Sequence, residues 1–518
     1  MVRCGRRAGI GADQSAFVRV PPKAWRGLGA ASATAVSALA LLAPANAWAA
    51  CTFPNNTSCT VSDTYDNTWP IANGDWGRTG IVTIGSGGVF NNLTGATFAN
   101  GVDSGSSGTL IIQSGGVFNN IYNYWNGYVG NGAVTIQGGG VFNNNNNAVF
   151  LNGNWGNGTL TIQSGGVFNN NAYFANANVG SGTVTIQSGG VFNNNYYFWN
   201  GNDGNATLTI QGGGVFNNTS NGQFLNNVGG TVAIQSGGVF NNSGNFYNGG
   251  IAASGTVTIA SGGRFNHYAG HGIGRDGIHA ESVRYAVSFA NSGTFDIGYG
   301  NPALATSSFN GTYTQTATGA LALRADWAGN TSDKLAITGT ATLAGTIVVT
   351  PLHFPSTGGL SKTFTGIITS TNPIVDRGIG VTDTAAVNYE LLKSANQIDL
   401  VATINFQGVN TPPAPGLGTS GLTPNQNNLG GALNTIFGGG TSLGFMPPLL
   451  TLQTNPELGA ALDQLAPSGA GAGNASTLQA GSAFGSQLLS CRTLGEGNAN
   501  AIIREGQCVW ARGTVRHA

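Results

Sequence analysis

The chain has 518 residues, 85 of them glycine, and only 7% are charged, 19 basic against 19 acidic. A neutral chain so poor in Lys and Arg has no electrostatic footprint for nucleic acid and no polybasic face for an anionic membrane. Disorder is excluded as well, because 41% of the residues are apolar and no net charge holds the chain open.

The amino end reads as an export signal. Arg3, Arg6, Arg7, Arg19, Lys23 and Arg26 precede an apolar run from Gly27 to Leu42, followed by the small-residue patterns Ala45-Asn46-Ala47 and Ala47-Trp48-Ala49. This order predicts a secretory signal peptide over 1–49. No later stretch reaches the roughly 18 consecutive apolar residues that a spanning helix needs. Residues 50–79 then form an N-terminal cap. Cys4 leaves with the leader, Cys51 and Cys59 enclose a short loop, and Cys491 and Cys508 lie near the other end. Two local disulfides are expected from these two pairs in an oxidising compartment. Neither pair has the four clustered ligands of a structural zinc site.

Residues 80–266 carry an internal repeat, GTVTIQSGGVFNNN in its clearest form, whose phenylalanine recurs at Phe90, Phe118, Phe142, Phe168, Phe192, Phe216, Phe240 and Phe265. The intervals are 28, 24, 26, 24, 24, 24 and 25 residues, a period that predicts stacked coils. Within one unit, Thr183-Val184-Thr185-Ile186-Gln187 alternates polar and apolar, so Val184 and Ile186 share one face of a half-buried strand. Ser188-Gly189-Gly190 makes a corner, Val191-Phe192 opens a second strand, and Asn193 to Asn195 turn the chain again. Tyr197-Phe198-Trp199, and likewise Ala172-Tyr173-Phe174 and Gln223-Phe224-Leu225, mark a third strand. The expected fold is all-β: a single-stranded, right-handed parallel β-helix, or solenoid, with a short helical C-terminal segment. Ordering about 25 residues costs on the order of 25–50 kcal/mol. A coil with four or five large apolar side chains, each contributing roughly 1.5–3 kcal/mol, is therefore stable only within a stack.

Residues 267–406 keep the strand signal without strict repetition, as in Gly293–Ile297, Leu321–Leu323, Lys334–Ile337, Thr346–Val349 and Ile398–Val401, and are expected to continue the β-helix as irregular coils. Residues 407–450, with Pro412, Pro413, Pro415 and Pro424 among Gly, Asn and Thr, read as an extended linker. In 451–518, Asn455 is the expected cap of a helix with Pro456 in its first turn and Leu458, Leu462 and Leu465 on one face. A second helix is expected over 477–490, and alternation resumes at Cys508-Val509-Trp510-Ala511-Arg512-Gly513.

The glycine-rich coils, the Tyr313-Thr314-Gln315 segment with the later Asp333-Lys334-Leu335-Ala336-Ile337-Thr338-Gly339, and the terminal Arg504-Glu505-Gly506-Gln507-Cys508-Val509-Trp510-Ala511-Arg512 together resemble the autotransporters, the self-secreting surface proteins of Gram-negative bacteria. The resemblance implies a β-helical passenger displayed at the cell surface or outer membrane, or secreted, and acting as an adhesin. It also implies that 451–518 leads into the first strand of a truncated outer-membrane barrel. A complete barrel needs on the order of 200 further residues. Self-export is therefore in question, and periplasmic residence is expected if the barrel is truly missing. The partners implied are a glycan or protein on a host or neighbouring cell, together with the outer-membrane barrel and the secretion machinery of type V export.

Catalysis is not expected. Between residues 80 and 263 the only charged side chains are Asp103 and Asp203, so the paired carboxylates of acid–base chemistry are lacking there. Gly440-Thr441-Ser442-Leu443-Gly444 matches a nucleophile-elbow pattern, but a chain this rich in glycine produces such a match by chance. No cofactor is expected. The polar cluster Arg264, His267, His271, Arg275, Asp276, His279, Glu281 and Arg284 reads as a solvated loop; its alternative is a metal site with His267, His271 and His279 as ligands and Asp276 as oxygen donor. Threonine pairs at 159/161, 183/185, 207/209 and 256/258 are expected to stack into a flat outward array. Tyr124, Trp125, Tyr196, Tyr197 and Trp199 are candidates for stacking on sugars where they face outward. The alternative function is a secreted polysaccharide-active β-helix enzyme, which Asp296, Asp326 and Asp333 would serve if they shared one face.

Overall fold

The computed structural model describes residues 58–465, apart from 146, 228, 250–254, 269–287, 301–302, 305, 354–359, 409–420 and 441–444. The chain divides into two compact units, one of Met1–Leu352, Phe364–Thr382 and Leu391–Leu400, the other of His353–Thr363, Asp383–Glu390 and Val401–Ala518. The leader, the helix expected at 477–490 and the strand expected at 508–513 lie outside the described residues.

In the first unit each repeat from that of Phe90 to that of Phe240 folds into one coil of three strands, for example Ser181–Ile186, Val191–Asn194 and Tyr197–Asn200. The polar–apolar alternation does what its period requires: Val184 and Ile186 are buried, Thr183 is exposed and Thr185 half-buried. Equivalent strands of successive coils pair in parallel. Among the described residues the first sheet has 13 strands, from Ser58–Val61 to Val375–Asp376. The second has 14, the short Thr331–Ser332 adding itself antiparallel to Ala320–Asp326. The third has 8, from Ile71–Asn73 to Asn245–Asn248. Thr306–Phe309, Lys334–Ile337 and Ser361–Ser370 pair in that order beyond it. The fold is thus a parallel β-solenoid, and the irregular region after 266 continues its coils.

Register places like on like. Thr183 sits between Thr159 and Thr207, and Phe192 between Phe168 and Phe216. The two glycines of each corner are required for different reasons. Gly189 has φ +74°, in the left-handed region that a Cβ disfavours. A Cβ on Gly190 would lie 2.7 Å from the carbonyl oxygen of Ile162 in the preceding coil, so the coils could not approach to pairing distance.

The interior holds two files of rings. The repeat phenylalanines stack along the second sheet, with Phe168 and Phe192 4.7 Å apart at 8°. A second file, Phe98, Tyr124, Phe150, Phe174, Phe198, Phe224 and Phe246, runs along the third sheet and meets the first edge to face, as in Phe168–Phe174 at 5.4 Å and 88°. Edge-to-face pairs add roughly 0.5–1.5 kcal/mol each beyond area burial.

Beside the rings lie buried asparagines. Asn67, Asn92, Asn120, Asn144, Asn170, Asn194, Asn218 and Asn242 form one ladder at the end of the second sheet, each amide donating to the side chain of the next coil. Each interior amide also uses its second N–H: Asn144 Nδ2 donates to Asn170 Oδ1 at 2.8 Å and to the Tyr173 carbonyl at 3.1 Å. A parallel ladder from Asn73 through Asn126 and Asn176 to Asn248 closes the third sheet. Burial without these partners would cost about 1–3 kcal/mol per group.

The second unit corrects two expectations. Within the 407–450 expected as linker, Pro424–Gly438 is a helix. Thr423 caps it and exchanges hydrogen bonds with Gln426, while Pro424 occupies the first turn, where its missing N–H costs nothing. Gly430 and Gly431 lower the helix propensity and hide this element; Gly430 is retained because a Cβ there would collide with the Phe406 carbonyl. The helix Asn455–Leu465 buries Leu458 and Leu462 as expected. Its cap is Thr454 rather than Asn455: Thr454 Oγ1 accepts from the Glu457 N–H, and the Glu457 carboxylate accepts from the Thr454 N–H. Gln426 joins the two helices, donating to Asp463 at 2.8 Å and to the Gly459 carbonyl at 3.2 Å.

Candidate functional site

The first sheet presents the predicted threonine array. Thr159, Thr183, Thr207, Thr231 and Thr256 stand in register in one outward column, and Thr161, Thr185, Thr209 and Thr258 in a second that Ala233 interrupts. The second sheet presents a column of valines from Val89 to Val239 beside a half-exposed asparagine ladder, Asn91, Asn119, Asn143, Asn169, Asn193, Asn217 and Asn241, which ends on the buried Asn266. This outer ladder donates toward the amino end, opposite to the inner one. Its terminal donor, Asn91, is accepted by the Asp66 carboxylate at 2.7 Å, and its terminal acceptor, Asn266 Oδ1, takes a bond from Arg264 Nε at 3.2 Å. An anion at the donor end and a cation at the acceptor end complement the aligned amide dipoles, by the logic that places charges at helix ends.

The aromatic candidates divide by strand alternation. Tyr124 is wholly buried, its hydroxyl accepting from Asn100 at 2.8 Å and its pKa pushed well up by burial. Trp125, Tyr197 and Trp199 lie half-buried on the outer side of the third sheet. Tyr196, at the corner between the second and third sheets, is 50% exposed and packs edge to face on Tyr197 at 4.6 Å.

Around Tyr196 the corners form an open groove of about 740 Å³, lined by Ile121, Asn145, Asn171, Asn195, Tyr196 and Asn221. Four residues separate the second and third strands at 145–148 and at 219–222, but only two at 171–172 and 195–196. Ile121, Asn145, Asn171 and Asn195 each directly follow the second strand of their coil and so form one row along the solenoid axis, which Tyr196 and Asn221 flank. Asn195 Nδ2 donates to Asn171 Oδ1 at 2.7 Å on the floor. Sequence reading that followed the phenylalanines missed these asparagines, although the 26-residue interval before Phe168 carried the signal of a lengthened corner.

His267 is not on a solvated loop. It ends the strand Arg264–His267, fully buried, in the register position that Asn242 holds one coil earlier, and its Nδ1 lies 2.9 Å from the Asn242 amide. His271, Asp276 and His279 lie outside the described residues, as does Ser442. Among the described residues no group of three or more His, Cys, Asp or Glu is placed to hold a metal ion. Cys59 is buried and disulfide-bonded; Cys51, Cys491 and Cys508 lie outside the described residues.

The three carboxylates differ in what they hold. Asp333 is fully buried and clamped by Arg324, Nε at 2.8 Å and Nη2 at 3.0 Å, and it also accepts the Arg324 backbone N–H. Asp296 faces the same arginine's field and pairs with Arg264 at 3.6 Å; burial raises its pKa, against the Gly298 N–H and both arginines. Asp326 instead caps its own turn, accepting from the Ala328 and Gly329 N–H groups.

No protein-family model matches the chain, and no curated protein matches it. Among solved structures, the crystal structure of a fragment of TibA hyper-glycosylated by TibC is similar, with 17% sequence identity, 62% of this chain and 93% of that chain covered, and a TM-score of 0.32.

Proposed function

We propose that the chain is a surface-displayed or secreted passenger of the autotransporter type that acts in adhesion or cell-surface interaction and carries no catalytic activity. The observation that supports this most directly is the exterior of the regular coils. It offers long in-register columns of Thr, Val and Asn, and between residues 80 and 263 only Asp103 and Asp203 are charged. Asp103 is occupied in accepting the Trp76 N–H. Such a surface recognises by shape, hydrogen bonding and apolar contact, with no acid–base pair to turn a substrate over. In this reading 1–49 directs export, and an outer-membrane barrel with the secretion machinery places the passenger outside.

The test couples two assays. Beads coated with the full chain should adhere to epithelial or bacterial cells more than albumin-coated beads do, while the chain in solution releases no reducing ends from a panel of polysaccharides. The enzyme reading has one observation in its favour, the raised pKa of Asp296 beside Asp333. Release of reducing ends that Asp296→Asn abolishes would establish that reading instead.

A further inference from the structure

We infer that the corner groove around Tyr196 is a binding site for an uncharged oligosaccharide. The inference rests on the adhesive reading and assigns it a ligand class and a place.

Three features of the groove converge on that chemistry. Its floor is a row: Ile121, Asn145, Asn171 and Asn195 each directly follow the second strand of four successive coils, which at about 4.8 Å per step extends over roughly 14 Å along the solenoid axis. The groove, of about 740 Å³, is open to solvent along that row, so an extended ligand can lie in it.

The lining matches sugar hydroxyls. Asn145, Asn171, Asn195 and Asn221 each bring a carbonyl acceptor and an amino donor, the pair that vicinal hydroxyls satisfy. The Asn195–Asn171 bond orients two of them and leaves Asn171 Nδ2 and Asn195 Oδ1 to face a ligand. Tyr196 supplies the ring, half exposed and steadied edge-on by Tyr197, so that one apolar sugar face can lie against it.

The lining also selects. Among the described residues no Lys, Arg or His borders the groove, so a sulfated, phosphorylated or carboxylated glycan would surrender its hydration without a counter-charge. An extended peptide finds no free strand edge, because the corner N–H groups of Asn171 and Asn195 already bond to the Asn144 and Asn170 carbonyls.

The full chain is titrated calorimetrically with cellohexaose, maltohexaose and laminarihexaose, and with a heparin hexasaccharide and sialyllactose. At least one neutral sugar should bind. Tyr196→Ala should weaken it at least tenfold, Tyr196→Phe should retain it, and Asn171→Ala with Asn195→Ala should weaken it again. Unchanged circular dichroism would show that the substitutions leave the fold intact. Binding of none of the neutral sugars, binding of the acidic ones alone, or indifference to Tyr196→Ala overturns the inference. Bead adhesion that survives Tyr196→Ala removes the groove but leaves the adhesive function standing; loss of adhesion by the wild-type beads removes the function itself.

Discussion

Nδ1 of His267 lies 2.9 Å from the side-chain amide of Asn242, so a histidine ends a ladder that asparagines carry through the preceding coils. The buried ring takes the place of an amide because the register of the strand, rather than the polarity of the neighbouring sequence, decides which side chain points inward.

That ladder predicts an unequal response to substitution. Asn170→Leu would leave one of the two N–H groups of Asn144 Nδ2 without its acceptor and Asn194 Oδ1 without its donor, costing about 1–3 kcal/mol per orphaned group. Asn169→Ser on the half-exposed outer ladder, where water replaces the lost bond, should cost under about 1 kcal/mol. Denaturant unfolding of the two variants checks the difference.

The paired glycines of a corner should fail differently. Gly189→Ala forces a Cβ into φ +74° and should cost about 1–2 kcal/mol. Gly190→Ala drives a Cβ against the Ile162 carbonyl and should separate adjoining coils, seen as faster amide exchange at both coils. Gly95→Asn, at φ +90° with nothing within 4 Å of the added Cβ, should cost less than Gly189→Ala, because asparagine enters the left-handed region more readily than alanine.

Arg324 and Asp333 depend on each other because Asp333 is fully buried. Arg324→Met would remove the guanidinium that offsets its buried charge, for which about 3–5 kcal/mol of destabilisation is expected. The double variant Arg324→Met with Asp333→Leu should recover much of that loss in a thermal melt.

Two aspartates carry opposite pH dependences. Asp296 has its pKa raised by burial, so its folded form holds a proton more tightly than the unfolded chain. Stability is then lost as pH rises above the ordinary value of about 3.9 and through the folded pKa. Asp296→Asn should remove that loss, measured as unfolding free energies at acidic and neutral pH. Asp376, which the Lys393 ammonium at 2.9 Å holds below the ordinary range, contributes stability above about pH 3.9 that is lost as pH falls through its folded pKa. The pair is exposed, so the effect should stay under about 1 kcal/mol.

The period of the phenylalanines and the Thr-Val-Thr-Ile alternation determined the coil and the inward face of each strand, because a two-residue period admits one burial pattern and stacking identical coils admits one register. The C-terminal helix was legible for the same reason, its leucines recurring at helical spacing. Only the folded chain decided where separate coils meet. The second file of rings, the opposed amide ladders, the asparagine-lined groove beside Tyr196, and Asp333 locked onto Arg324 all join residues that no local pattern connects. The helix at Pro424–Gly438 was hidden because its glycines and asparagines speak for a loop until packing against Phe406 supplies the energy that propensity lacks.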